Sequence, residues 1–205
     1  MWWGISESDF KPKQLNRNDL LINLAIWALP GFVSFVFFGY LKVKGINYFN
    51  YILKALNEGV SVYLWNVMGT IGLIFLGIAI IFIKERVSQG ILKQSNNILL
   101  NTFKAGLLAF GVLAGKAFII LLYDFHPHIW WQKWFFGIML PIMLLAVLII
   151  NSFLWYISIL IYNPNMPNQK TSIMEKIESI PALYRVSFST IFLIVLPIVI
   201  TIIKR

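Results

Sequence analysis

The sequence predicts an all-α polytopic integral membrane protein, a helical bundle of four to five transmembrane helices with short amphipathic helices in its loops. Three observations carry that reading. The 205-residue chain is 59% hydrophobic and only 12% charged, with a mean hydropathy of +0.78; soluble domains carry about 25% charged residues. Its apolar residues come in runs of the length that crosses a hydrocarbon core of about 30 Å at about 1.5 Å per residue. Lys, Arg, Trp and Tyr gather at the ends of those runs, where headgroups lie.

Residues 1–19 are polar, with Lys11, Lys13 and Arg17, and Asp19 is placed to cap the first helix. Span one, about 20–41, is closed by Lys42 and Lys44. Pro30-Gly31 falls in its middle and predicts a kink. It reads either as a hinge or as a membrane proline whose freed carbonyl finds other donors. Residues 46–57 are too short and too polar to cross. Ile46, Phe49, Ile52, Leu53 and Leu56 share one helical face, and Asn47, Asn50, Lys54 and Asn57 share the other. That pattern predicts a helix lying in the interface, or a surface that docks another protein.

Span two, about 60–83, carries Asn66 and the glycines Gly69, Gly72 and Gly77, and ends at Lys84-Glu85-Arg86. The polar stretch after it contains Gln94-Ser-Asn-Asn97, which reads as the turn of a hairpin whose two helices extend beyond the bilayer. Span three covers about 105–123, and span four about 135–160, with Pro141 as a kink point. In the following loop, Ser172-x-x-Glu175 is a capping-box pattern. It opens a loop helix over 173–180 with Ile173, Ile177 and Ile180 along one side, ended by Pro181. Residues 186–203 form a short fifth span kinked at Pro197. In a four-span alternative the first or last stretch does not cross. The chain shows no internal repeat, and an odd number of spans with unequal loops argues against the inverted repeats of many transporters.

Formal net charge is +9. The basic residues sit at the ends of apolar runs, which points to anionic lipid headgroups and not to nucleic acid. With five spans and the N-terminus inside, the inner segments carry ten Lys and Arg and the outer segments six. The expected location is therefore a membrane, the bacterial cytoplasmic (inner) membrane, with the N-terminus inside. There is no cysteine, which removes disulfides and thiolate chemistry. The first residues lack the basic-then-apolar order of a cleavable signal, so the first span itself carries targeting.

Span three holds the sharpest candidate residues. Lys116 lies well inside an apolar run, where a charge is expensive and normally faces protein or water. It reads as a buried cation near a pore or a partner, with Asn66 and Asn151 as the polar residues of comparable depth. The competing reading is snorkelling, with the alkyl stem along the helix and the ammonium at the headgroups. Gly111 and Gly115 form a small-xxx-small pair that brings another helix close, within the chain or between copies. The loop Asp124-Phe-His126-Pro-His128 offers a carboxylate and two imidazoles. These could ligate a metal or change charge near physiological pH in an external sensor loop. An interfacial turn explains them equally well, and no fourth ligand is evident, so no metal or cofactor is expected.

Catalytic signatures are lacking. The sequence has no HExxH, no GxSxG and no Walker A loop, and no carboxylate lies inside a span. No catalytic residue is expected. What remains is a non-catalytic membrane subunit that forms a homo-oligomer and anchors or signals to a cytoplasmic protein partner. Secretion machinery, immunity and phage defence employ such parts. The alternative is an oligomeric channel or small-solute conduit with Lys116 near the pore.

Overall fold

In the computed structural model, residues 17–59, 62–126, 128–163, 169–195 and 198 are described. Among them every regular element is helical and there is no strand. The basic N-terminal segment 1–16, Pro127, the loop residues 164–168, Pro197 and the basic C-terminus lie outside the described residues. The helices are α1 (Arg17–Val43), α2 (Asn50–Gly59), α3 (Val62–Ile81), α4 (Val87–Tyr123), α5 (Trp130–Trp134), α6 (Leu140–Ile161), α7 (Ser172–Ser179) and α8 (Ala182–Thr190). Among the described residues, three helical stretches are long and apolar enough to cross a membrane: Asn18–Val43, Val87–Tyr123 and Trp130–Ile161. Trp65–Ile81 and Ala182–Val195 are apolar but shorter.

Several boundaries differ from the sequence expectation for identifiable reasons. Asp19 sits inside the first turn of α1 and does not cap it; an acidic residue there opposes the positive end of the helix dipole. Pro30 lies within the continuous helix α1. The helix stops in a Schellman motif: Gly45 adopts φ +80°, its N–H donates to Lys42 O, and the Ile46 N–H donates to Leu41 O, both at 3.0 Å. Residues Gln94–Asn97 are not a turn. They lie within the 37-residue helix α4, and the hairpin reverses at residues 82–86. The N-cap of α7 is Thr171, whose carbonyl accepts from Glu175 N at 3.0 Å, so Ser172 is the first helical residue and not the cap.

The tryptophans after Asp124 form the short helix α5 in place of a loop, and a π-helical turn, Phe135–Met139, joins it to α6. A second π-helical turn, Ile191–Val195, follows α8. Each begins six residues before a proline, Pro141 or Pro197. Proline lacks the N–H that its own i−4 carbonyl would accept, and its ring crowds that carbonyl. At Pro141 a locally widened helical turn relieves the crowding.

The chain divides into two compact units. One comprises Arg17–Trp65 and Phe103–Phe153. Its organising contact is α1 against the C-terminal half of α4. Reading along both helices, Lys104 lies over the Trp27 ring at 5.8 Å, Phe32 meets Phe118 at 5.7 Å, and Tyr40 meets Tyr123 at 6.5 Å. The numbers rise together, so the two helices are parallel. Leu53 of α2 is buried in a small cluster with Phe35 and Val112, which folds the amphipathic helix back onto this pair. Tyr48 and Tyr51 remain exposed.

The other unit takes in Asn66–Thr102 and Leu154–Arg205. Here α3 and the N-terminal half of α4 form an antiparallel hairpin. Ser88, Leu92, Ser95, Leu99 and Thr102 alternate at spacings of four and three along one face of α4, and all are buried. That is the a/d periodicity of a coiled-coil seam. Gly72 faces this seam, where a β-carbon would lie 2.9 Å from the Leu99 side chain. Ser95 Oγ donates to Gly72 O at 2.8 Å, and Ser88 Oγ donates to Ala79 O at 3.1 Å. Small polar residues thus let the backbones approach and then bond them together.

Candidate functional site

Span three was singled out by two features, the glycine pair and the lysine, and the structure puts them on different sides of α4. Gly111 and Gly115 face α1. A β-carbon on Gly111 would overlap the Ala28 carbonyl oxygen, and one on Gly115 would lie 2.8 Å from the Phe32 carbonyl oxygen. Gly31 reciprocates: its β-carbon would overlap Leu108 O and lie 3.2 Å from Val112 N. The Pro30-Gly31 step thereby acquires a packing role, since its glycine meets the α4 backbone. The small-xxx-small face is consumed within the chain.

Lys116 is exposed, as are Leu113, Phe118, Leu121 and Leu122 around it. Between Lys104 and Tyr123 the helix rises about 28 Å, close to a hydrocarbon thickness. Lys116 sits about 10 Å below Tyr123 on that scale. The lysine therefore belongs to the exposed surface of its unit.

Asn151 does not join Lys116. It is 1% exposed, its Oδ1 accepts from the Trp65 indole N–H at 2.7 Å, and its amide rests on Gly106, where any β-carbon would collide with it. Gly106 lies ten residues before Lys116, about 15 Å along the helix. Asn66, half-buried, belongs to the other unit. Asn151 thus already has a partner in the indole.

In the loop after α4, Asp124, His126 and His128 are all exposed. The His126 N–H donates to Gln132 Oε1 at 2.7 Å, and Ile129 N–H donates to His126 O at 3.0 Å. These bonds shape a turn into α5. Among the described residues no group of three or more His, Cys, Asp or Glu side chains is arranged to hold a metal ion.

Three groups escaped the sequence reading. The Ser88–Ser95–Thr102 seam was legible as a seven-residue repeat, but the polar run around Gln94 masked it. Trp65 carried no signal of its own, because its partner lies 86 residues away. Arg185, a residue the sequence does not single out, lies in the first turns of α8 with only 7% exposure. Comparison of the chain with protein-family models, with curated proteins and with solved structures returned no match.

Proposed function

We propose that the chain is a non-catalytic integral membrane subunit that self-associates and presents its cytoplasmic loops to a soluble partner. Its N-terminus lies inside, in the cytoplasmic (inner) membrane of a bacterium. Four or five crossings belong to this reading, three of them on helices with the length and apolarity to cross a membrane. α1 and α4 are parallel, so if both cross, the chain returns once between them. α3 is the helix available for that return, and it is antiparallel to α4. α5–α6 supplies the fourth crossing, and α8 with the apolar residues after it supplies a fifth.

The observation that carries self-association is Lys116. Its own helix uses the glycine face against α1, and the lysine points away from that contact, exposed among apolar side chains. A charge so placed is relieved by a second chain or by a water-lined space between chains. The basic residues Lys84, Arg86 and Lys93 at the α3–α4 reversal are exposed and suit anionic headgroups or an acidic cytoplasmic partner.

The test is the mass of the purified protein in nanodiscs, for wild type and Lys116→Ala. A defined wild-type oligomer that dissociates in the variant supports the reading. A wild-type monomer overturns self-association. An oligomer indifferent to the change redirects Lys116 to a conduit, and altered ion conductance in Lys116→Ala then selects the channel reading.

A further inference from the structure

We propose that Arg185 anchors a phosphate site, filled by the phosphate of an anionic phospholipid headgroup or by free phosphate. Arg185 is 7% exposed, and its Nε and Nη1 are buried without a hydrogen-bond partner. Those two nitrogens carry most of the N–H donors of a group that keeps its charge in proteins. An isolated buried charge is strongly unfavourable, so the guanidinium calls for an anion.

The described carboxylates of its unit do not supply one: Glu178 is engaged by Lys170, while Glu85 and Glu175 are exposed. A second observation has the same sign. α8 begins at Pro181, which provides no side-chain cap, so the positive end of this nine-residue helix is unneutralised. A helical side chain leans back towards the N-terminus, which carries that of the fourth residue, Arg185, over the first turn. Thr171 Oγ1, in the same unit, is a further buried polar atom without a partner.

The position selects the chemistry. Arg185 stands where a polar loop gives way to the apolar stretch 186–203, the level at which lipid phosphates lie. A phosphate oxyanion accepts several charge-assisted hydrogen bonds at once, which matches a guanidinium with unmet donors. The inference rests on the membrane reading, which fails separately if the protein stays monodisperse in water without detergent.

The experiment compares thermal unfolding of the full chain in nanodiscs of phosphatidylcholine alone and of phosphatidylcholine with phosphatidylglycerol, each in chloride and in inorganic phosphate at equal ionic strength. Wild type is expected to melt about 5 °C higher with phosphatidylglycerol. Arg185→Met, similar in volume and uncharged, should melt alike in both lipids. A gain from inorganic phosphate in phosphatidylcholine that Arg185→Met abolishes identifies free phosphate as the source. Phospholipid retained per wild-type chain after delipidation gives a readout independent of the variant. Wild-type melting that is indifferent to both anions, or an anion effect that survives in Arg185→Met, overturns the proposal. So does a wild type stabilised only by an acidic protein partner.

Discussion

Gly111 and Ala28 bring the backbones of α4 and α1 into contact: a β-carbon on Gly111 would overlap the Ala28 carbonyl oxygen and lie 2.8 Å from its carbonyl carbon. The obstacle is backbone, which cannot rotate away as a side chain can. Gly111→Ala should therefore destabilise the protein by about 1–3 kcal/mol through overpacking. Gly90, in the same helix, has nothing within 4 Å of its β-carbon position. Gly90→Ala should stabilise by about 0.5–1 kcal/mol through helix propensity alone. Thermal unfolding of both variants in one detergent checks the contrast. Equal melting of the two would remove the close α1–α4 approach.

The pairing of Trp65 with Asn151 makes a second expectation. In Trp65→Phe the buried Asn151 Oδ1 loses its donor, at a cost of about 1–3 kcal/mol. A double-mutant cycle with Asn151→Ala should give a coupling of about 1 kcal/mol, within the range for interhelical hydrogen bonds in membranes. Additive effects would show that the two side chains do not interact. Asn151→Leu should cost more than Asn151→Ala, because branched bulk would press on Gly106.

Ser95 tests the hairpin. Ser95→Ala keeps the small volume and loses the bond to Gly72 O, costing about 0.5–1.5 kcal/mol. Ser95→Leu keeps the heptad apolar but fills the space beside Gly72, and should cost about 1–3 kcal/mol through overpacking. If Ser95→Leu is the more stable of the two, residue 95 does not face α3.

These contacts show which parts of the fold were legible in the sequence. Long apolar runs, the amphipathic face around Leu53 and the Ile173–Ile177 stripe depend on local periodicity, which a sequence displays directly. Pro141 marked a place where the helix widens, since the missing N–H is a property of the residue itself, whereas Pro30 lies in an unbroken α-helix. The face on which Gly111 and Lys116 each lie was not legible to the same degree. Spacing places them on a helix, but the choice of which side meets α1 depends on Ala28 and Gly31, some 80 residues earlier. Asn151 shows the same limit. Depth alone grouped it with Lys116, whereas Trp65, 86 residues earlier in the chain, took its carbonyl. The polar run Gln94–Asn97 misled for another reason: a helix that leaves the bilayer can be polar on its outer face while Ser95 stays inside.

Lys170 provides the last expectation. Its Nζ donates to Ile83 O at 2.9 Å and pairs with Glu178 Oε2 at 2.6 Å, tying the segment before α7 to the end of α3. The carbonyl just beyond a helix has no intrahelical donor, and a lysine commonly supplies one. The two bonds are separable. Glu178→Gln removes one charge of a pair whose side chains are 22% and 33% exposed, and solvent screening limits the loss to below about 1 kcal/mol. Lys170→Met removes both bonds and leaves the carbonyl without its donor, for a cost of about 1–3 kcal/mol. Proteolysis in the stretch just before α7 should accelerate in Lys170→Met and change little in Glu178→Gln. If the two variants are cleaved at the same rate, the ion pair and not the helix-end bond holds the segment to α3.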